Sequence, residues 1–427
     1  MSRPAALFGT FDAERSWEEP EQARLPLLRA PFPDDAIAAM DELLIAWCGE
    51  GDVALTRRPL LVEHREHLIS VGLLDALAPT HDLMAALPKL AASHCLAPWA
   101  VTAEVETLWR RFDLAQPLPS LAVVRRVNSK VWSSALRKRL GLPGCANAVH
   151  SASELRAVGT ELLARSTAGI VVKEPHGVSG RGSVLIPSPR RLERLVATIE
   201  REESRGRSAS FVVEPFVHKR FDFSTQLTIA ADGTITLDSI HGLLNRGFSY
   251  AASHRITDEH ARLLEHCDLA SQVLSVARAV AQEGYFGPLC IDGMLLADGT
   301  LMPLVEINAR GSLGAINAQL DRRHAVRGLR SYLTAIRVTS EIAIPFAAVL
   351  GALRDAELLA NERRSVGGVI LTARTLPFGG GTERAEQTAR AGRLFVSLLY
   401  QREEEVPQWL ARARASLGAL GYQLMDA

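Results

Sequence analysis

The amino-acid sequence predicts a protein of the α/β (α+β) class with several domains. Short apolar segments that are typical of buried strands alternate with segments of helical periodicity over much of the chain. Two Asp-Gly pairs, Asp232-Gly233 and Asp298-Gly299, each lie between segments of alternating polarity, a pattern that predicts β-hairpins. A length of 427 residues is enough for roughly two to four domains.

The composition is typical of a globular protein with balanced charge. Lys and Arg together number 48, as do Asp and Glu, which argues against broad binding to nucleic acid but leaves a local basic patch for phosphate groups open. The five cysteines are widely spaced and form no Cys-x-x-Cys pair, so we expect neither a disulfide framework nor a zinc site. The longest apolar stretch, near Ile342–Leu353, is interrupted by Pro345 and is shorter than the ~20 residues that span a bilayer. Because the start of the chain has no signal-peptide pattern, we expect a cytoplasmic protein without a membrane partner.

The first 119 residues predict a domain of alternating helices and strands. Apolar residues with helical spacing predict helices over Asp35–Cys48 and Val101–Phe112. The apolar run Pro59–Val62 predicts a short buried strand. The sequence Gln116–Pro119 interrupts the pattern, and we therefore place the end of the first domain there.

From Ser120 onward the sequence predicts helices followed by β-rich segments. Ser120 and Ser153 are suitable N-cap residues, and a Gly-Leu-Pro-Gly sequence is a typical helix end. The two hairpins cover Ser224–Ile240 and Gly287–Arg310, and after about His324 we expect helices with one or two strands. The other predicted elements are helices over Leu121–Val127, Lys130–Leu140, Glu154–Arg165, Arg190–Glu203 and Asp258–Glu283, and strands over Gly169–Pro175, Ser183–Pro187 and Phe211–Val217.

The second hairpin carries candidate metal ligands. Glu306 and Asn308 are two residues apart on one strand and therefore share a face. Asp292 joins that face if the loop is odd in length, as a three-residue loop at Ala297–Gly299 would be. Asp292 would then lie opposite Leu304 and diagonal to Glu306, at a distance of about 7–8 Å from Glu306. Carboxylate and amide oxygens of this kind suit Mg²⁺. The alternative is a polar face that packs against Arg or Lys.

A glycine-rich loop follows the strand that ends at Lys173. Glycines let backbone N–H groups converge on phosphate oxygens. The loop is not a Walker P-loop, because no Gly-Lys-Ser/Thr sequence ends it and a strand follows it. The alternative is an ordinary glycine-rich hairpin loop. Its candidate phosphate-binding residues are Gly177, Ser179, Gly180, Arg181 and Gly182.

A strand that ends in Glu214-Pro215 is a candidate hinge between two lobes. The backbone at Phe216 and Val217 would pair with an adenine, and Glu214 would accept a hydrogen bond from its amino group. Asp222 lies further along and would reach a ribose or a metal ion. The alternative is an edge strand whose glutamate faces water, which is the commoner environment of glutamate.

These signals, in this order, resemble the ATP-grasp superfamily, of the D-alanine ligase and biotin carboxylase type. The matching features are an Asn-x-Lys helix start at Lys130 that leads to Gly-Leu-Pro, Lys173 before a glycine-rich flap, a hinge glutamate at Glu214, and a strand pair that reads Cys-Ile-Asp-Gly and then Glu-Ile-Asn-Ala-Arg. The resemblance covers about Ser120–Gly314. It implies a Rossmann-like domain over 1–119, a small ATP-grasp lobe over 120–212 and a large lobe over 213–330, followed by a C-terminal extension over 331–427.

The resemblance also implies ATP and Mg²⁺ as cofactors, with Mn²⁺ as a substitute for Mg²⁺. Cations and preorganised N–H donors would stabilise the negative charge of the phosphates and of an acyl phosphate. The implied roles are phosphate binding by Lys130, Lys173 and the glycine loop, adenine binding by Glu214, Phe216 and Val217, ribose binding by Asp222, metal binding by Asp292, Glu306 and Asn308, and catalysis by Arg310.

The reaction that the resemblance implies is the ligation of a carboxylate to an amine through an acyl phosphate, with ADP and phosphate as products. The substrates would be small molecules of the amino-acid or natural-product type. Arg246 would pair bidentately with a substrate carboxylate. Two alternatives stay open, phosphoryl transfer without ligation and ATP binding without turnover, and a homodimer is also left open. The other candidate substrate residues are Asn245, Ser312, Arg220 and His241.

Overall fold

The structure of the protein is a computed structural model, which describes residues 3–26, 33–74, 82–177, 182–361, 364–377 and 390–425. Its N-terminal unit is built on a parallel sheet in which β1 lies between β2 and β3. Alternating parallel strands and helices of this kind are the arrangement that the sequence predicted. The elements of this unit are β1 (Ala5–Phe8), α1 (Ala13–Trp17), α2 (Asp34–Ala39), α3 (Leu43–Trp47), β2 (Val53–Ala54), α4 (Val62–Ser70), α5 (Leu83–Ala91), β3 (Cys95–Pro98) and α6 (Ala103–Arg111).

Two predictions in this unit need correction. The helix expected over Asp35–Cys48 is interrupted by a 3₁₀ turn at Met40–Glu42, which joins α2 to α3. The strand expected over Pro59–Val62 is wrong, because Val62 begins α4 instead. His64, His67 and Leu68 of α4 are buried at helical spacing, and this periodicity extends past the short apolar run that suggested a strand.

The small lobe is an antiparallel sheet covered by two helices. Its strand order is β4-β7-β5-β6. Leu155 of one helix and Leu192 and Val196 of the other are fully or almost fully buried against this sheet. The predicted helices and strands of this region are confirmed to within about two residues. The elements are α7 (Leu121–Val127), α8 (Lys130–Arg139), β4 (Asn147–Val149), α9 (Ala152–Arg165), β5 (Ile170–Lys173), β6 (Ser183–Ile186), α10 (Pro189–Glu203) and β7 (Phe211–Pro215).

The large lobe and the C-terminal region share one long antiparallel sheet. Its strand order is β12-β11-β8-β9-β10-β13-β15-β14, and β16 pairs with β13. The helix predicted over Asp258–Glu283 is two helices, because Asp268 adopts a left-handed conformation (φ 51°) between them. The elements are β8 (Lys219–Ile229), β9 (Ile235–Arg246), β10 (Ser249–Arg255), α11 (Asp258–His266), α12 (Leu269–Gln282), β11 (Gly287–Leu296), β12 (Leu301–Asn308), α13 (Leu313–Ala325), β13 (Arg330–Ser340), α14 (Phe346–Asp355), β14 (Gly367–Ile370), β15 (Arg390–Tyr400), α15 (Glu405–Ala419) and β16 (Gln423–Leu424).

The C-terminal region contains more strand than the sequence suggested. β13 was not predicted, yet it pairs along its full length with β15, from Arg330 opposite Tyr400 to Ser340 opposite Arg390. Buried Ser331 and Thr334 lie among the apolar residues of β13 and obscure its pattern. α14 and α15 pack around a separate apolar core. None of the helices in the described ranges is long and apolar enough to cross a bilayer.

Two buried histidines connect the N-terminal unit to the sheet. Ile370, in β14, donates its backbone N–H to Nε2 of His67 (2.9 Å), and its carbonyl oxygen lies 3.2 Å from Nε2 of His64. Burial, together with the neighbouring His64, lowers the pKa of His67 to about 3, so this ring is neutral at pH 7 and can accept the bond. The histidines of α4 thus provide hydrogen-bond partners at the end of β14, where a neighbouring strand would otherwise do so.

Replacing His67 by Leu is expected to loosen this junction. The buried Ile370 N–H would lose its acceptor, at a cost of about 1–3 kcal/mol. Amide hydrogen exchange at Ile370 should therefore accelerate by about tenfold or more. His266→Leu, at an exposed position at the end of α11, is the control and should leave this amide unchanged. An unchanged exchange rate at Ile370 in the His67 variant would show that this hydrogen bond does not hold the junction.

Candidate active site

The hairpin of β11 and β12 places the predicted metal ligands on one face. Asp292 pairs directly with Glu306. The sequence correctly predicted that they share a face but wrongly placed Leu304 opposite Asp292. The loop at 297–299 has the predicted odd length, since Leu296 N donates to the Thr300 carbonyl oxygen. Beyond it, the strand pairing shifts.

The shift is a β-bulge in β12. Met294 pairs with Met302, so that one residue of β11 and three of β12 separate this pair from the pair of Asp292 and Glu306. Pro303 lies in the longer segment, and proline, which has no N–H to donate to the ladder, is typically found at bulges. Gly293 lies opposite, where a Cβ atom would come within 2.5 Å of the Phe223 ring. The bulge brings the two carboxylates closer together than the predicted diagonal arrangement would.

The two carboxylates are held by hydrogen bonds, and the pKa of Asp292 is raised. Asn308 Nδ2 donates to Oδ2 of Asp292 (3.0 Å), and Lys130 Nζ donates to Oε1 of Glu306 (2.9 Å). Burial, together with the charge of neighbouring Glu306, raises the pKa of Asp292 to about 7. A partly buried pair of facing carboxylates favours a bound cation.

This donor set fits Mg²⁺. The carboxylates supply hard oxygen ligands, and Mg²⁺ typically uses one or two of these and completes its shell with phosphates and water. In the part of the chain that the structure describes, no group of three or more His, Cys, Asp or Glu side chains gathers as a metal site. Asn308 directs its amide nitrogen at Asp292, and its oxygen accepts from Arg310 at 3.0 Å.

The two phosphate-side lysines both lie next to the glycine-rich loop, one contacting Gly177 and the other at the end of the strand that precedes the loop. Lys130 begins α8, is buried, and places Nζ 3.4 Å from the Gly177 carbonyl oxygen as well as on Glu306. Lys173 ends β5 and forms an ion pair with Glu214. The sequence predicted that Glu306 binds the metal ion and that Glu214 binds the adenine. In the structure, each of these carboxylates holds one of the two lysines. The alternative in which Glu214 faces water is wrong.

The glycine-rich loop begins and ends within the described residues. Glu174 N donates to the Gly182 carbonyl oxygen (2.7 Å), which closes the base of the loop. Gly182 has a left-handed conformation (φ 72°), and a Cβ atom there would lie 2.7 Å from Oε2 of Glu174. Gly177 lies beside Lys130. The predicted loop residues Ser179, Gly180 and Arg181 lie outside the described residues.

The predicted adenine-binding backbone follows β7. Phe216 donates its N–H to the Gly169 carbonyl oxygen (2.9 Å), so that N–H is already engaged within the small lobe. An adenine would thus have to use the backbone of Val217 or the carbonyl group of Phe216. Asp222 is buried in β8, where its carboxylate accepts from Asn245 (2.8 Å) and pairs with Lys219.

Arg310 is held by a residue that the sequence did not point to. Glu14, in α1, accepts from Arg310 Nε (2.6 Å) and pairs with the same guanidinium through a second nitrogen. Burial opposes the charge of Arg310, but the Glu14 carboxylate outweighs it, and the pKa of Arg310 lies above its ordinary value. Because 295 residues separate the partners in sequence, no local pattern could have revealed the pair.

The predicted substrate residues are spread over three places. Ser312 caps α13, accepts from Ala315 N (3.0 Å) and donates to Gln226 (2.6 Å), so its hydroxyl already has partners. Asn245 bonds to Asp222, and Arg246 is exposed at the end of β9. The two remaining candidates are engaged elsewhere, with His241 beside Asp321 and Arg220 paired with Glu259.

The chain shares its fold with enzymes of known structure. The chain has the ATP-grasp fold, as the resemblance predicted, and its solved structural neighbours are ATP-grasp enzymes. Two of them are a biotin carboxylase from Campylobacter jejuni (TM-score 0.54, 12% identity, 100% of this chain and 93% of that one) and an N5-carboxyaminoimidazole synthetase from Staphylococcus aureus complexed with ADP (TM-score 0.53, 12% identity, 97% and 99%). At these identities the likeness shows the fold alone.

A third neighbour is the biotin carboxylase domain dimer of a 2-oxoglutarate carboxylase from Hydrogenobacter thermophilus, solved with MgADP and bicarbonate (TM-score 0.53, 14% identity, 100% of this chain and 91% of that one). In sequence, the chain is similar to a butirosin acyl-carrier protein–L-glutamate ligase from Niallia circulans, with 26% identity over 250 residues. The match covers 58% of this chain and 57% of the relative, so it spans little more than half of either protein. No protein-family model matches the chain.

Proposed function

We propose that the protein is an ATP-dependent carboxylate–amine ligase that forms an amide or peptide bond through an acyl phosphate. The observation that carries this proposal is the pair of facing carboxylates, Asp292 and Glu306, with Lys130 and Arg310 within hydrogen-bond reach of that hairpin face. An ATP-grasp cleft with this set of charges suits a reaction in which the substrates and the intermediate are all anionic.

The proposed roles follow from where the side chains lie. Asp292, Glu306 and Asn308 would hold Mg²⁺, which would neutralise the phosphates when bound. Lys130 and Lys173, which both lie next to the glycine-rich loop, would orient the phosphates. Arg310 would stabilise the negative charge that develops on the transferred phosphoryl group and on the tetrahedral intermediate.

The proposed nucleotide contacts complete the site. Glu214 and the backbone at Phe216 and Val217 would bind the adenine, and Asp222 the ribose. The loop residues Gly177, Ser179, Gly180, Arg181 and Gly182 would surround the phosphates and exclude water, which would otherwise hydrolyse an acyl phosphate. Manganese would substitute for magnesium, since both accept oxygen ligands.

A small amino acid or a natural-product-type molecule is proposed as one of the two substrates. This is supported by the curated relative, which joins L-glutamate to an acyl-carrier protein. The carboxylate would be a small molecule or a carrier-bound acid. Exposed Arg246 is the proposed partner for a substrate carboxylate, and Asn245 and Ser312 are also proposed to contact the substrates. A cytoplasmic location and a homodimer complete the proposal.

The test is a screen of amino-acid and carboxylate pairs with ATP and Mg²⁺. Repeated turnover of ATP to ADP should require both partners, and the product mass should equal the sum of the two substrates minus water. Repeated turnover with a single co-substrate, together with a stable phosphorylated product, would favour a phosphotransferase, because a ligase without its amine stops at the acyl phosphate. Binding of MgATP without ADP formation across the screen would favour a non-catalytic nucleotide-binding protein.

A further inference from the structure

The chain segment that follows β1 runs from the N-terminal unit to the small lobe, and we call residues 13–25 the N-terminal strap. It begins with α1 and continues as extended chain beside the small lobe. Glu21 and Ala23 exchange backbone hydrogen bonds with Ser208 (2.9 and 2.8 Å), and Ala23 and Leu25 are buried in the core of the small lobe. The strap is thus built into two parts of the protein.

One end of the strap contacts the candidate active site through Glu14. This side chain is 5% exposed and holds the Arg310 guanidinium through Oε1. Its Oε2 has no hydrogen-bond partner among the described residues. A buried carboxylate is costly unless a cation compensates it, so Arg310 is the group that makes Glu14 tolerable at this position.

The other end of the strap is fixed at the base of the glycine-rich loop. Leu25 N donates to Oε1 of Glu174 (2.6 Å), and Arg24 lies 3.7 Å from the other carboxylate oxygen. Glu174 directly follows Lys173 and closes the loop base with Gly182. The contact therefore lies beside a proposed phosphate-binding lysine.

The middle of the strap is anchored by Trp17. Its ring is fully buried, its indole N–H donates to the Val101 carbonyl oxygen (2.9 Å), and its ring edge contacts His176 of the loop base. The backbone carbonyl of Trp17 accepts from Arg125 Nε (3.1 Å). Glu14 is therefore presented from a backbone that is fixed on both sides, which is what orienting another side chain requires.

We propose that Glu14 is a positioning residue for Arg310. Arg310 also donates a hydrogen bond to Asn308 Oδ1 (3.0 Å), which lies beside the facing carboxylates. The orientation of Arg310 therefore determines where its guanidinium meets the transferred phosphoryl group. Without the Glu14 carboxylate, Arg310 would keep its hydrogen bonds to Asn308 Oδ1 and to the Gly311 carbonyl oxygen (2.8 Å), but its Nε would lose its partner and the guanidinium would be less firmly oriented. The proposal rests on the proposed ligase function for its kinetic consequence, but the ion pair itself does not depend on that function.

The test is a double-mutant cycle of Glu14→Gln and Arg310→Gln in the full-length protein. Glu14→Gln keeps the shape of the side chain and removes its charge. We expect kcat to fall by about 10- to 100-fold, because a small misplacement of a catalytic group has effects of this size, while KM for ATP stays within about threefold. In the Arg310→Gln background, Glu14→Gln should change kcat by less than about threefold.

The matched control is Glu19→Gln. Glu19 lies in the same strap, is 65% exposed and pairs with Arg125 at the surface, so its loss should leave kcat unchanged. A Glu14→Gln variant with wild-type kcat, or effects of the two substitutions that simply multiply, would overturn the proposal.

Urea unfolding of the same four proteins gives a second readout that needs no turnover. We expect the two substitutions to be coupled by about tenfold or more in the unfolding equilibrium constant, and coupling below about twofold would overturn the proposal. If the wild-type protein forms no ADP in any substrate pair, the ligase function fails. The unfolding cycle then still decides whether Glu14 and Arg310 act as a pair.

Discussion

Glu306→Gln is expected to lower kcat for ADP formation by about 10²- to 10³-fold, the range found when one preorganised charge-stabilising group is removed. Glu306 faces Asp292 across the hairpin and holds Lys130 at 2.9 Å. The substitution keeps the shape of the side chain but removes the charge that would bind the cation and orient the lysine. ADP release at saturating ATP, measured over a range of Mg²⁺ concentrations, is the readout.

Glu283→Gln is the matched control for this experiment. Glu283 follows α12 and pairs with Arg126 at 2.7 Å in a surface ion pair, so its loss removes the same charge outside the cleft. Its kcat should equal that of the wild type. If Glu306→Gln consumed ATP at the wild-type rate, the metal role of this carboxylate would be wrong, regardless of whether the protein is a ligase.

The sequence predicted the hairpin well, because the Asp-Gly turn and the spacing of the polar residues are local properties. The direct opposition of Asp292 and Glu306 was not predictable from the turn alone. It depends on the bulge beside Pro303, and a bulge changes the register without changing the turn. The presence of a proline inside a strand was the available signal.

The contacts of the cleft cations were less accessible to prediction. The Glu14–Arg310 pair joins a five-residue helix near the start of the chain to the end of β12, and such a long-range pairing leaves no periodic pattern. The same holds for Lys173 and Glu214, which were assigned to different parts of the ligand but lie on neighbouring strands of the small lobe. Strand β13 was not predicted for another reason. Its buried hydroxyl residues interrupt the alternation of apolar and polar residues that indicates a strand.

Together, these pairs suggest how the cleft tolerates its charges. Lys130, Lys173 and Arg310 are each held by a carboxylate, namely Glu306, Glu214 and Glu14 in that order. A cation that is already desolvated and paired loses little hydration when a phosphate takes the place of its carboxylate. Nucleotide binding would then be an exchange of partners for the two lysines, in which Mg²⁺ takes over Glu306 from Lys130 and the adenine amino group takes over Glu214 from Lys173, while Arg310 keeps Glu14.

Asp292→Asn is expected to abolish activity and yet to stabilise the nucleotide-free protein at neutral and higher pH. The ordinary pKa of 3.8 is raised to about 7 in the folded protein, chiefly by burial and then by Glu306, so the folded state binds this proton more tightly than the unfolded state. Ionisation of Asp292 therefore lowers the free energy of unfolding. This loss of stability is absent below about pH 4, grows as the pH rises to 7, and is complete above pH 7.

The expected gain in the free energy of unfolding above pH 7 is at most about 4 kcal/mol, and solvent near the partly exposed carboxylate reduces it. Asparagine still accepts the bond from Asn308, so little else should change. Urea unfolding at pH 4 and pH 8 measures the difference, which should appear only at the higher pH. With added Mg²⁺ and ADP, the wild type should become the more stable of the two proteins. Ligands stabilise only a protein that binds them, and the wild type retains both carboxylates. Equal stabilisation of both proteins by MgADP would place the metal ion elsewhere than on Asp292.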